Sequence, residues 1–356
     1  MPMISRPRHP SLPSGLYRRA RSISSAAPLV ILGLATGCSG GSSPGSATAA
    51  HPPERLPRIH RSSAVVASIR LADPPASIAA GAGAVWALTR DPSVLYRIDP
   101  ASNRVIGQPT RLPDGRWNVA VGAGYVWLTP NGADGRLLRI DPRSGRISAR
   151  ISARPVYFGS VITFSARYVF TGNDDERYRG GRTVTRLDPH SGRLVGKPLV
   201  LGSPQSIAFG HGAVWVGDHT GWLFKIDPDR FRVLARTRLR FGPHGVVVSG
   251  NGVYVAATHN ARIVKADPES GRIEASGRLP IGPIYPVAGA DALWSGSSAG
   301  WEDPAKSDDR LMRIDPNRLR ATRIYHLGAK VAAVAYGFGS LWVALGDGSV
   351  ARLRVR

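Results

Sequence analysis

The chain is almost without cysteine: Cys38 is the single one in 356 residues. One thiol cannot form an internal disulfide, so no disulfide framework holds this fold, and an oxidising compartment is neither required nor excluded. Acid is also scarce, with 24 Asp and Glu against 47 Lys and Arg and a formal net charge of +23. Beyond the leader there is no nucleophile motif and no Cys-x-x-Cys pair. Gly-x-Gly recurs, as in Gly122-Ala123-Gly124 and Gly250-Asn251-Gly252, but without a following helix to bind phosphate. Long apolar runs are missing too. The most prominent one near the N-terminus, Ala26 to Leu34, is too short to span a bilayer as a mature helix.

That run follows Arg18, Arg19 and Arg21, and the combination reads as a secretory signal over residues 1–37. It ends in Leu34-Ala35-Thr36-Gly37-Cys38, where small residues before a lone cysteine resemble the lipobox of bacterial lipoproteins. The resemblance implies that Cys38 is lipidated, palmitate included, and becomes the mature N-terminus. Two kinds of acyl chain hold far better than one, so the expected location is the outer side of the cytoplasmic membrane. Residues 38–62 read as a flexible Ser/Gly/Pro-rich tether, and residues 63–356 as the folded domain.

One phrase recurs through that domain. Asp-Pro pairs begin at Asp99, Asp141, Asp188, Asp227, Asp267 and Asp315, spaced 42, 47, 39, 40 and 48 residues apart. An aliphatic-aromatic pair keeps the same beat at Trp86, Trp127, Phe170, Trp215, Tyr254, Trp294 and Trp342. Periods near forty with short apolar runs and Gly/Pro turns indicate an all-β, seven-bladed β-propeller of four-stranded antiparallel blades. In each blade the Asp-Pro pair opens the turn between strands three and four, because Asp bonds backbone N–H groups just ahead and Pro presets φ. In three copies the turn is Asp-Pro-x-Ser-Gly-Arg, and its Gly suits a left-handed position. In blade one the fourth strand is expected over Val105 to Leu112. The seventh blade lacks an outer strand, so a segment at about 64–71 is expected to close the ring there.

These units resemble YVTN and NHL-like propeller repeats and the streptogramin (virginiamycin B) lyase-like superfamily, through the Val-Trp strand, the strand ending in Ile-Asp-Pro and the turn after it. The likeness covers roughly residues 64–356. It implies the fold, while propellers of this kind serve as enzymes, sensors and scaffolds.

Irregular sequence gathers on one face, which carries the segments leading into each blade and the loops between strands two and three. Variable loops on a repeated scaffold usually carry binding. Ligand-binding candidates are Trp117, Asn118, Tyr157, Gln205, His244, Tyr285 and Trp301. Two enlarged loops, Asn173 to Tyr178 and Ser298 to Asp309, supply acidic rims that suit a glycan, a peptide or a cationic small molecule. Asp218, His219, His244 and His259 are expected in one sector of this face, as candidates for a divalent metal or an acid–base pair. The lyase resemblance implies a histidine near magnesium, with acidic partners from a neighbouring blade. Here the neighbouring segment reads Ile284-Tyr285-Pro286, with no Glu or His.

Charge is distributed rather than patched. A basic residue stands two before the turn Asp in every copy: Arg97, Arg139, Arg186, Lys225, Lys265 and Arg313. Further arginines lie in the turns, including Arg104, Arg146, Arg193 and Arg272. No dense patch or nucleic-acid module appears, so an anionic lipid or wall polymer fits better than nucleic acid. Coding bias toward arginine is the other account. The expected function is a monomeric, membrane-anchored extracytoplasmic propeller, without a cofactor and not a catalyst, that binds a small molecule, glycan, peptide or envelope protein on its irregular face. Two alternatives stand beside it: a metal-assisted lyase-like enzyme around His244 and His259, and a structural scaffold of an envelope complex.

Overall fold

Each repeated aromatic lies in a second strand that packs on both sides. Ala84–Thr89, Ala213–Asp218, Gly252–Ala257, Ala292–Ser297 and Ser340–Leu345 are buried at every position. A strand covered on both faces reads as an unbroken apolar run rather than an alternation, and these do. The computed structural model describes residues 58–130, 136–152, 161–173, 182–250, 252–297 and 308–355. All lie in one unit, Glu54–Arg356.

Seven antiparallel sheets form seven blades. Blade four is typical: Pro204–Gly210, Ala213–Asp218, Trp222–Asp227 and Arg232–Arg238, paired in that order. The ring closes as the sequence suggests, since Val65–Arg70 pairs antiparallel with Ser349–Arg354 as the fourth strand of blade seven. Hydrophobic clusters sit between neighbouring blades. One joins Ile69, Leu71, Ala335 and Trp342 of blade seven to Val85 and Ile98 of blade one.

Two devices repeat around the ring. The indole N–H of Trp86, Trp127, Trp215, Trp294 and Trp342 donates to the carbonyl five residues earlier, at 2.9 to 3.2 Å. That carbonyl belongs to a glycine ending strand one, and a Cβ on Gly81 or Gly337 would lie 2.8 Å from Val121 or 2.6 Å from Ala80 of the next blade. The second device uses the basic residue before each turn. Arg97 donates to the Arg143 carbonyl at 2.7 Å, Arg186 to Pro228 at 2.8 Å and Lys225 to Glu269 at 2.6 Å, each in the following blade. The same groups lie over aromatic rings of their own blade, as Arg139 does over Tyr125 at 4.4 Å. These basic residues are therefore inter-blade ties and not loose rim charge. Lys265 and Arg313 are exceptions, meeting Glu274 and Thr322 within their own blades.

The turns take the expected form. Asp141 accepts from Arg143 N and Ser144 N at 3.0 and 2.7 Å, and Gly145 adopts φ +71°. Where Gly is missing, Asn103, Phe231 and Leu319 take the same left-handed conformation, the last two with buried side chains.

Two boundaries differ from the sequence reading. Arg58–His60, inside the stretch read as tether, is a strand that runs parallel to Arg320–His326 and covers the open edge of blade six. The fourth strand of blade one is broken into Arg104–Val105 and Thr110–Arg111. Gly107 at φ +70° and Pro109, which lacks an N–H, interrupt it. Gly196 and Pro198 break blade three the same way, leaving one bridge at Leu194 and the pair Leu199–Val200.

Candidate functional site

Blades four and five bring three imidazoles into a row on the irregular face. His219 follows the second strand of blade four, His259 follows the second strand of blade five, and His244 leads into blade five. Ring centroids are 5.7 Å apart for His219 and His244 and 5.0 Å apart for His244 and His259, both edge to face. The outer two are exposed and His244 is half-buried.

The backbone builds this row. His244 N–H donates to Ala256 at 2.9 Å, which fixes the start of the strand beside the His259 loop. His244 Nδ1 bonds the Gly242 carbonyl at 3.2 Å, so the proton sits on Nδ1 and Nε2 is the basic nitrogen. Gly242 is flush against His219, and a Cβ there would meet the His219 carbonyl at 3.1 Å and Nδ1 at 3.3 Å. Burial, then the charges of His259 and His219, hold the His244 pKa below its usual value. A neutral imidazole with a free Nε2 can accept a hydrogen bond or take up a proton.

Tyr285 stands next to this row. Its backbone abuts Gly245, its side chain is 50% exposed, and it holds φ +41° inside a bulge between Ile284 and Val287. A tyrosine in the left-handed region is uncommon and stores backbone strain. Gln205 occupies the corresponding bulge of blade four, half-buried.

Other candidates serve the fold. Trp117 is 4% exposed, packs between blades one and two, and donates Nε1–H to Pro113 at 3.1 Å, so it is a core residue and not a ligand contact. Asn118 is half-buried and pairs with Thr129. Asp218 is fully buried; its carboxylate accepts from Ser203 N, Thr220 N and Thr220 Oγ1, closing its own loop rather than facing the histidines. Asp308 is held by Ser297 and Arg310, and Asp309 by His326 at 3.1 Å and Gly328 N. These two carboxylates anchor the blade-six loop and are not a free acidic rim. Tyr157, Trp301 and Cys38 lie outside the described residues.

The magnesium site implied by the lyase resemblance does not fit the donors present. Asp218 is engaged, and Ile284-Tyr285-Pro286 supplies no carboxylate or imidazole. Among the described residues no group of three or more His, Cys, Asp or Glu is arranged to hold a metal ion.

No family model and no curated protein matches the chain. Among solved structures it is similar to a streptogramin B lyase, at TM-score 0.66 and 17% identity, over 82% of this chain and 97% of that one. The two share a seven-bladed propeller fold. At that identity the likeness carries the propeller architecture alone. Gly242 and the inter-blade ties had escaped the sequence reading. The recurring basic residue two before each Asp was their signal, and nothing in Phe241-Gly242-Pro243 marked the glycine.

Proposed function

We propose that the protein is an exported propeller, anchored through Cys38, that binds a ligand on its irregular face at the sector formed by His219, His244, His259 and Tyr285. The observation that carries this reading is the row of three imidazoles, two of them exposed, beside a strained and exposed tyrosine. Such a surface offers hydrogen-bonding nitrogens and ring faces. Asp218, which precedes His219, is taken up by its own loop, which favours a neutral or anionic ligand over a cationic one. A glycan, a peptide or an envelope protein segment meets that description.

The lowered pKa of His244 supports a second reading, in which its neutral Nε2 acts as a general base in a lyase-like reaction. Thermal unfolding of residues 54–356 in EDTA and then with Mg²⁺, Ca²⁺, Mn²⁺ or Zn²⁺ separates the two. A metal held by the native state alone at 100 times its Kd adds about 2.7 kcal/mol. The binding reading expects no metal shift that depends on the histidines. A shift abolished by His244→Ala and His259→Ala favours the enzyme.

A further inference from the structure

The Asp-Pro turns carry a second basic residue, distinct from the inter-blade ties. An arginine stands five residues after the turn Asp in all six copies: Arg104, Arg146, Arg193, Arg232, Arg272 and Arg320. Each closes its hairpin at the start of strand four. Asp99 pairs with Arg104, Asp227 with Arg232 and Asp315 with Arg320, while Asp141, Asp188 and Asp267 bond the Arg146, Arg193 and Arg272 carbonyls at 2.9 Å. All six side chains are exposed. Among the described residues the first five make no side-chain hydrogen bond or ion pair. The residues between Asp and this arginine vary, from Ala101-Ser102-Asn103 to Asp229-Arg230-Phe231, so the turn itself does not demand it.

Counted from the basic residue two before each Asp to the arginine five after it, the six copies carry net charges of +1, +2, +1, +1, 0 and +2, a positive surplus that runs around most of the turn face. The ring-closing strand also starts at this face. Val65 pairs with Leu353, at the end of blade seven where other blades carry their Asp-Pro turns. Arg58–His60 runs parallel to Arg320–His326, so its N-terminal end points the same way.

We propose that this arginine ring seats the propeller, turn face down, on anionic phospholipid headgroups of the membrane. The histidine row is then held outward. The proposal rests on the anchoring reading of Cys38. Exposed guanidinium groups spaced around a ring match a plane of phosphates better than a linear polymer, which would follow a groove. Guanidinium groups bind phosphate through paired hydrogen bonds, and the attraction acts within about 10 Å at 0.1 M salt.

The unit Glu54–Arg356 contains every strand of the closed ring and is tested by itself, free of any acyl chain. It is sedimented with phosphatidylcholine vesicles, with and without phosphatidylglycerol. The expected result is pelleting with phosphatidylglycerol that added salt reverses. Each Arg→Gln change at 104, 146, 193, 232 or 272 should weaken it about fivefold, with the melting midpoint unchanged. Equal binding to both vesicles, binding to neither, or full binding by the five-site variant overturns the proposal. Binding to soluble polyglycerol phosphate but not to the vesicles overturns it in favour of a wall polymer. Fractionating cells that carry wild type or Cys38→Ser tests the anchor separately: release of both forms contradicts anchoring, whatever the vesicles show.

Discussion

Arg352 of blade seven donates to the carbonyl of Pro100 in blade one at 2.7 Å, and to Asn103 Oδ1 at 2.9 Å, with its guanidinium 5.1 Å from the centre of the Trp342 ring. It ties the two blades across the seam where the chain ends meet. Arg352→Gln is expected to cost about 2 kcal/mol, in the range of a hydrogen bond from a charged donor. Arg104→Gln, at an exposed position, should stay within about 0.5 kcal/mol. Denaturant midpoints of the two variants check this.

The indole bond of Trp342 to Gly337, 3.1 Å long, satisfies a carbonyl beside the packed glycine of the innermost strand. Trp342→Phe removes the donor and some volume, for an expected loss of about 2 kcal/mol. The change should be milder than Trp342→Ala, since Phe170 and Tyr254 already fill the same position in blades three and five.

Acid should loosen the turns. The Ser102 hydroxyl on Asp99, the Ser144 N–H on Asp141, the Ser191 N–H on Asp188 and the Ser270 hydroxyl on Asp267 lead the bonds that hold these carboxyls below their usual pKa. A lowered carboxylate pKa stabilises the fold above the unfolded value, and that contribution disappears as pH falls through the folded one. Stability should therefore decline below about pH 4. Replacing the four Asp with Asn should flatten that part of the profile, as read by unfolding midpoints against pH.

His244 has the same sign for a different reason. Its folded pKa is lowered, so the unfolded chain binds the proton more readily, and stability falls as pH drops below about 6.5 toward the folded value. His259→Gln should move the His244 titration back up, as followed by its imidazole NMR signals. Gly242→Ala should push the His219 ring aside and separate its signal from that of His244.

The repeat made the blades and the closing strand legible, because a period near forty with paired apolar runs has few other solutions. The segment expected at 64–71 closes the ring as Val65–Arg70. Trp117 misled, since an aromatic leading into a blade looks the same in sequence whether it lines a channel or packs under the next strand. The three histidines were placed in one sector by topology, but their ring distances depend on how the Gly242 segment crosses His219. Asp218 shows the same limit: its partners are backbone groups that sequence does not display.

The most direct test of the binding site is to record the imidazole signals of the propeller while soluble envelope glycans and peptides are added. His190 and His211 lie on the turn side and serve as internal controls. The expected result is that one class of ligand moves His219, His244 and His259 together and leaves His190 and His211 in place. Movement confined to His190 and His211, or at no histidine with any ligand, would contradict a binding site on this face.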